Sequence, residues 1–202
     1  MSIDIEVVLF DLGGVLIELR SSPLPPEWLS SGQTFDSIGW FQSETALRFE
    51  CGELSPDEFA RRLQRDLGLE VDNAEIIDQF TRWPIGLFAG ARDLLLQLRK
   101  SHHLAALTNT NELHWPRLVN EFRLPQYFSQ IFASHRMALA KPDLRAFRHV
   151  MDALNVAPER VLFFDDNPTN VIAARRLGIR ARQACSVEQV KVHLQESGLL
   201  AD

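Results

Sequence analysis

The chain has 202 residues, of which 46% are hydrophobic and 24% are charged, and its formal net charge is −6 at pH 7. This length and balance are those of a globular protein with one core domain and room for a smaller inserted one. An acidic chain without a cluster of Lys or Arg lacks the charge that binds a phosphate backbone, so no nucleic-acid partner is expected.

No run of about 20 apolar residues is present, so no membrane-spanning segment and no membrane partner are predicted. The first residues are acidic where a signal peptide is basic, and a cytoplasmic protein is expected, as a monomer or weak dimer. The two cysteines, Cys51 and Cys185, lie far apart in the sequence. Two free thiols are expected rather than a disulfide, and no metal-binding cysteine pair is formed.

The first and last parts of the chain alternate between predicted strands and helices. Residues 5–10 (IEVVLF) are apolar and β-branched and end at Asp11 and a Gly pair, which predicts a buried strand followed by a tight loop. Further along, buried strands are predicted at 104–107 and 161–164, and helices at 92–100, 143–154 and 168–178. Continuously apolar strands that alternate with helices indicate an α/β fold with a doubly wound parallel sheet.

Residues 18–87 have a different pattern. A Pro- and Ser-rich stretch leads into segments with helical spacing, such as 56–67 (PDEFARRLQRDL), and no strand is predicted among them. We therefore predict a helical cap domain at 18–87, inserted into an α/β core domain that comprises 1–17 and 88–202.

Polar residues follow three of the predicted strands at the point where each strand ends: Asp11, then Thr108 with Asn109, then Asp165 with Asp166. The carboxyl ends of parallel strands lie at one edge of a sheet, where open α/β sheets bind ligands. Lys141 is a candidate cation for the same edge. Asp and Asn also follow strands simply because they form turns and helix caps, and this alternative stays open for any single strand end.

Carboxylates that crowd together repel one another unless a cation lies among them. A hard divalent ion with oxygen ligands, such as Mg²⁺, fits this set, whereas no His or Cys spacing suggests zinc. Such an ion would screen an anionic substrate from an anionic nucleophile and would polarise phosphoryl oxygens. The pattern therefore indicates a magnesium site.

Four segments carry a resemblance to a known family: FDLGGVL, LTNTN, AKPD and VLFFDDNPTN. In this order and rough spacing they resemble the four motifs of the haloacid dehalogenase (HAD) superfamily, across the whole chain. The helical insertion resembles the type-one cap of that superfamily, and the motifs look most similar to the α-D-glucose-1-phosphate phosphatase branch. The resemblance implies a magnesium-dependent phosphatase that hydrolyses a small phosphorylated metabolite, such as a sugar phosphate.

The resemblance also implies a role for each motif residue. Asp11 would attack phosphorus and form an aspartyl-phosphate that water then cleaves. Thr108 would donate a hydrogen bond to the transferring phosphoryl group, with Asn109 beside it. Lys141 would neutralise charge on the phosphoryl group and on Asp11.

The same resemblance implies the metal ligands. Asp166 would bind Mg²⁺ together with the Asp11 side chain and the backbone carbonyl of Gly13. Asp165 is expected beside the metal, orienting the motif lysine or a metal-bound water, although capping of the following helix is an equal alternative. Asn170 stands where many members of the superfamily carry a further acid.

Gly13 departs from the common pattern, because most phosphatases of the superfamily carry an Asp two residues after the nucleophile. That Asp protonates the leaving group and then activates water, a role worth about 10²–10⁴-fold in rate. The α-D-glucose-1-phosphate phosphatase branch shares the Gly. Two alternatives stay open: a dehalogenase, against which the Asp165–Asp166 pair argues, and a catalytically weakened binding protein.

Other residues are weaker candidates for a site. His114 and Trp115 follow the second motif and could contact substrate, but a surface His and a packed Trp are the expected reading. Trp28, Trp40 and Trp83 are expected in the core of the cap rather than stacked on a sugar.

Overall fold

The computed structural model describes residues 4–29, 39 and 43–200. Its strands are β1 (Val7–Phe10), β2 (Ile17–Leu19), β3 (Pro84–Leu87), β4 (His103–Thr108), β5 (Gln130–Ala133), β6 (Val161–Asp165) and β7 (Arg180–Gln183). Its α-helices are α1 (Glu44–Glu50), α2 (Pro56–Leu67), α3 (Asn73–Thr81), α4 (Ala91–Leu98), α5 (Ser134–Met137), α6 (Leu144–Leu154), α7 (Pro168–Arg176) and α8 (Val187–Glu196). Shorter helical turns lie at Pro26–Trp28, Arg117–Glu121, Leu124–Gln126 and Pro158–Arg160.

Five strands form a parallel sheet in the order β5-β4-β1-β6-β7. Phe10 of β1 pairs with Ala106 of β4 on one side and with Phe164 of β6 on the other. The three strands with polar ends are therefore neighbours whose carboxyl ends lie at the same edge. The predicted α/β fold with a doubly wound parallel sheet is confirmed.

Both faces of the sheet are covered, which explains why its central strands are apolar without alternation. Val8 and Phe10 of β1 belong to a buried cluster that includes residues of α4 and α8. Val7 and Leu9, which point the other way, belong to a second cluster with residues of α6 and α7. Each of these four side chains is at most 5% exposed.

The insertion has a hydrophobic core of its own, built from α1, α2 and α3. The ring of Phe59 lies 4.1 Å from that of Phe49 and 4.7 Å from that of Phe80, centroid to centroid. Trp83 is buried in this core and Trp28 packs against it, as the sequence predicts. The prediction for Trp40 falls outside the described residues.

A two-stranded antiparallel ribbon of β2 and β3 joins the insertion to the sheet. The prediction that 18–87 contains no strand is therefore wrong at both ends of this segment. The two strands have three and four residues, and one of them begins at Pro84, so neither is long enough to show a strand pattern in sequence. The domain boundaries at 17/18 and 87/88 stay a prediction.

None of the helices in the described ranges is long and apolar enough to cross a bilayer. Cys51 and Cys185 are free thiols, as predicted.

Candidate active site

The polar ends of β1, β4 and β6 open into one cavity of about 380 Å³. The predicted residues that line it are Asp11, Gly13, Thr108, Asn109, Lys141 and Asp166. Leu47, Glu50 and Trp83 of the insertion line the same cavity. The cavity is thus built from the sheet edge and the cap together, a common position for a ligand site.

Lys141 is the centre of the charge arrangement at the sheet edge. Its Nζ lies 2.8 Å from Oδ1 of Asp11 and 2.6 Å from Oδ2 of Asp165, and its side chain is 1% exposed. Burial alone would lower the pKa of Lys141, but attraction to the two carboxylates raises it above its ordinary value. Lys141 is therefore a permanent cation that orients Asp11.

Asp165 is fully buried, so neither of its carboxylate oxygens is exposed to the cavity. Its Oδ2 accepts from Lys141, and its Oδ1 accepts at 2.9 Å from the backbone N–H of Asn167. The amide of Asn170 donates to both oxygens, at 2.9 and 3.1 Å. An amide at position 170 suits this contact because a carboxylate could not donate. These bonds make Asp165 the residue that positions Lys141.

Capping of the helix after β6, the alternative reading of Asp165, is wrong. Asn167 caps α7 instead, since its side chain accepts from the backbone N–H of Thr169 at 2.9 Å. Asp165 is the last residue of β6, two residues before this cap. The cap residue therefore lies between Asp165 and the helix.

Asn109 joins β4 to the loop that carries Lys141. Its Nδ2 donates to the carbonyl of Lys141, and its Oδ1 accepts from the Lys141 backbone N–H, both at 2.9 Å. Thr108 precedes it, is 3% exposed and lines the cavity. The structure thus brings the predicted hydroxyl, amide and lysine to one place.

One carboxylate oxygen from each of Asp11, Asp165 and Asp166 lies within 4.8 Å of the others. Burial raises the pKa of Asp11 to about 7. Lys141 lowers this pKa, but the charges of Asp165 and Asp166 raise it again. Burial and the charge of Asp165 raise the pKa of Asp166 to about 6. These raised pKa values show that Lys141 alone does not balance the negative charge of the three aspartates. A divalent cation that binds oxygen ligands would balance it.

Gly14 allows the loop after β1 to approach Asp166. Its φ is +75°, and a Cβ at this position would lie 2.5 Å from Oδ2 of Asp166. A side chain there would displace the carboxylate, so the second Gly of the pair is required for the cluster to form.

Glu50 is a site residue that the sequence reasoning missed. It ends α1, is 4% exposed and faces the cavity from the cap side. Burial raises the pKa of Glu50 to about 8. The charge of Asp11 raises this pKa further, whereas Lys141 and Asn109 lower it. One signal was available, because a carboxylate at the C-terminal end of a helix opposes the helix dipole.

His114 is buried, so the prediction of a surface His is wrong. Its Nε2 lies 2.8 Å from the carbonyl of Phe80 and its Nδ1 lies 3.1 Å from Nδ2 of Asn111. Burial lowers the pKa of His114 to about 4, so the ring is neutral. Trp115 is partly buried against the core, as expected.

The stability of the metal-free protein is expected to fall as pH rises from about 4.5 to about 8. The folded protein holds the Glu50 proton up to about pH 8, whereas the unfolded chain releases it near pH 4.5, so stability present at low pH is lost across this window. Glu50→Gln should remove up to about 1.4 kcal/mol per pH unit from this slope.

Denaturant unfolding with chelator at several pH values measures this slope. Glu44→Gln, in the exposed first turn of α1, is the matched control and should keep the wild-type slope. An unchanged slope in Glu50→Gln would show that Glu50 is ionised in the folded protein at neutral pH.

Comparison with known proteins identifies the family. Residues 5–178 match the haloacid dehalogenase-like hydrolase family. The chain belongs to this family. The predictions of the HAD superfamily and of a hydrolase of the phosphatase type are confirmed at this level.

Similar proteins cover nearly the whole chain. A D-ribitol-5-phosphate phosphatase of Bacteroides thetaiotaomicron is 27% identical over 89% of this chain and 91% of its own length. A sesquiterpene phosphatase of Aspergillus oryzae is 31% identical over 86% of this chain and 87% of its own length. The crystal structure of a HAD family enzyme of Bacteroides thetaiotaomicron in complex with magnesium and inorganic phosphate has 29% identity and a TM-score of 0.73, covering 89% of this chain and 93% of that one.

Proposed function

We propose that the protein is a magnesium-dependent phosphatase that hydrolyses a small phosphorylated metabolite through an aspartyl-phosphate at Asp11. The observation that carries this proposal is the position of Lys141. Its Nζ lies 2.8 Å from Oδ1 of Asp11, which in turn lies beside the carboxylate of Asp166. A nucleophilic carboxylate, a fixed cation and further oxygen ligands on one cavity wall are the groups that phosphoryl transfer requires.

Asp11 and Asp166 are the side chains that would hold Mg²⁺, with the carbonyl of Gly13 as a third oxygen. The bound ion supplies positive charge to the phosphoryl oxygens. Asp165 is less suited to bind it, since its oxygens already accept from Lys141, Asn167 and Asn170. A magnesium complex is known for a similar HAD enzyme, which supports the same ion here.

Three further residues, Lys141, Thr108 and Asn109, bind or orient the phosphoryl group. Lys141 balances its charge while holding the Asp11 carboxylate toward the cavity, and the Thr108 hydroxyl donates to a phosphoryl oxygen. Asn109 fixes the backbone of Lys141 through its two 2.9 Å hydrogen bonds. Preorganised charge of this kind stabilises the transition state because no reorganisation is needed during the reaction.

The organic part of the substrate lies between the sheet edge and the cap. The ribitol-5-phosphate relative favours a sugar or sugar-alcohol phosphate as the first candidate substrate. Ile17, Leu19 and Trp83 form an apolar wall, which favours a second candidate of the terpenyl phosphate type.

Phosphate release from a panel of phosphate esters tests the proposal. We expect turnover with Mg²⁺, none with excess chelator, and recovery when Mg²⁺ is restored. A protein that releases halide from 2-haloacids without metal would be a dehalogenase, and one that binds phosphate esters without turnover would be a binding protein. Either result excludes the phosphatase.

The metal ligands are tested by two matched variants. Asp166→Asn is expected to raise the Mg²⁺ concentration for half-maximal activity by at least about tenfold, because a ligand charge is lost. Asp165→Asn is expected to change it by less than about threefold while lowering the maximal rate, since the change acts through Lys141. A larger shift for Asp165→Asn would place Asp165 directly on the metal.

A further inference from the structure

The cavity lacks an acid–base side chain two residues after the nucleophile. A Cβ built on Gly13 would lie 3.3 Å from Cδ1 of Leu19, so this position faces an apolar side chain of β2. An ester oxygen that leaves as a strong base still needs a proton, and the water that cleaves the aspartyl-phosphate must lose one. Another group must supply this chemistry if the protein is the phosphatase proposed above.

Five described residues with titratable side chains line the cavity: Asp11, Glu50, His114, Lys141 and Asp166. Asp11 is the proposed nucleophile, Asp166 would hold the metal, and Lys141 is held by two carboxylates. His114 has both ring nitrogens engaged by protein groups. Glu50 is the one whose carboxyl group has no role so far.

Glu50 occupies an unfavourable position for a merely structural residue. Its carboxyl group lies at the C-terminal end of α1, where the helix dipole disfavours negative charge. It is 4% exposed, and no Lys or Arg of the described residues lies within ion-pair distance of it. Buried glutamates without such a partner are rare in proteins and are concentrated at functional sites.

The position of Glu50 over the sheet edge is defined by two contacts. Asn109, whose amide is bound to the loop of Lys141, lies close enough to the Glu50 carboxyl group to lower its pKa. Gly52, two residues later, has φ +74°, and a Cβ there would lie 2.5 Å from the carbonyl oxygen of His135. The turn after α1 therefore lies directly on α5 of the core, which places the cap carboxyl group at the cavity.

The protonation state of Glu50 suits an acid. Its pKa of about 8 results from burial, and the charged groups that act on it are Lys141 and Asp11. Asp166 and the neutral His114 line the same cavity. At neutral pH the carboxyl group therefore carries a proton that it can give to an oxygen in the cavity.

We propose that Glu50, supplied by the cap, is the general acid and base of the reaction, in place of the side chain that Gly13 lacks. In the first half, an oxygen of Asp11 bonds to phosphorus while the bond from phosphorus to the ester oxygen breaks. The Glu50 proton passes to that oxygen, so the product leaves as an alcohol and Glu50 becomes a carboxylate.

In the second half, Glu50 works in reverse. It takes a proton from a water molecule whose oxygen bonds to phosphorus as the bond to Asp11 breaks. Inorganic phosphate is released, and both side chains return to their starting state. Attacking and leaving oxygens lie in line, so the water arrives on the side from which the alcohol departed. One carboxyl group on that side can therefore serve both halves.

Glu50→Gln is the test, with kcat/KM measured for an alkyl phosphate and for nitrophenyl phosphate at saturating Mg²⁺. The amide keeps the size of the side chain but cannot exchange the proton. For the alkyl ester, kcat/KM is expected to fall by about 10²–10⁴-fold. For the aryl ester, whose leaving group is a stable anion, it should fall by less than about tenfold.

A second readout reports the other half of the reaction. Glu50→Gln should release about one equivalent of nitrophenol per site in a rapid burst, because the aspartyl-phosphate forms normally and is then cleaved slowly. Glu44→Gln is the control on the same helix and should behave as wild type. Should Glu50→Gln not fold, Glu50→Asp withdraws the acid by one methylene and should show the same selective loss.

The outcomes separate this inference from the proposed function. An equal loss of kcat/KM for both esters without a burst would show that Glu50 only positions Asn109, and unchanged kinetics would show that it has no role. Either result overturns the inference while the phosphatase stands. A wild-type protein that hydrolyses neither ester with Mg²⁺ would overturn the proposed function itself.

Discussion

Asp11→Asn is expected to lower phosphate release by on the order of 10⁵-fold or more, to the background of the assay. An amide oxygen is a far weaker nucleophile than a carboxylate, and it cannot form the acyl-phosphate. The fold should persist, because Asn has the size of Asp and because burial already disfavours the charged form of Asp11. Unfolding by heat and phosphate release from the same preparation measure the two effects.

The covalent intermediate gives this prediction a second measurement. Wild-type protein quenched with acid during turnover of a radiolabelled phosphate ester should carry a phosphoryl group that hydroxylamine removes, whereas Asp11→Asn should carry none. Asp152→Asn changes an exposed aspartate of α6 and should retain both activity and labelling. Labelling that survives in Asp11→Asn would place the nucleophile on another residue.

Oxygen-18 water distinguishes the phosphatase from the dehalogenase chemistry of the same family. When water attacks phosphorus, the label enters the released phosphate and Asp11 stays unlabelled. When water attacks the carboxyl carbon of an ester at Asp11, as displacement at carbon requires, the label enters the Asp11 side chain. Mass spectrometry of the phosphate and of the peptide that contains Asp11 reads both positions after a single turnover.

The central strands were predictable because each is buried on both faces and therefore continuously apolar. Edge strands are different, since β7 (RARQ) buries one side chain of four and β5 begins with an exposed Gln. Neither has a period or a composition that separates it from a loop. Their pairing with β6 and β4 defines them, and pairing is a contact between distant segments.

The same distinction applies to the candidate site. Asp11, Thr108 and Asp166 stand at strand ends, so the topology of a parallel sheet brings them together whatever the cap does. Glu50 reaches the cavity, and His114 is buried against Phe80, because the cap packs on the sheet edge. Their burial depends on that packing, which no local sequence pattern encodes.

Lys141→Met is expected to affect activity and stability together. Without the ammonium group, Asp11 and Asp165 would be neighbouring buried carboxylates with no cation between them. Removing one partner of a buried ion pair costs about 3–5 kcal/mol. Activity should fall by at least about 10²–10³-fold, because the positive charge that faces the phosphoryl group is lost.

The loss of stability should depend on pH. Loss of the cation raises the pKa of Asp11 further above its value in the unfolded chain, so the folded variant holds a proton to higher pH. The destabilisation is therefore smaller near pH 5, where Asp11 is protonated with or without Lys141, and larger near pH 8, above the wild-type pKa of about 7. Denaturant unfolding of Lys141→Met and wild type at both pH values, with chelator present, measures the difference.

Two further variants separate the structural and chemical parts of this effect. Lys100→Met removes an exposed lysine after α4 and should change neither stability nor activity. Adding Asp165→Asn to Lys141→Met should recover part of the lost stability, because it neutralises one of the two orphaned carboxylates. It should not recover activity, because the amide brings no positive charge to the phosphoryl group. Recovery of activity in the double variant would mean that Lys141 acts only by holding Asp165, and that the charge facing the phosphoryl group comes from elsewhere in the site.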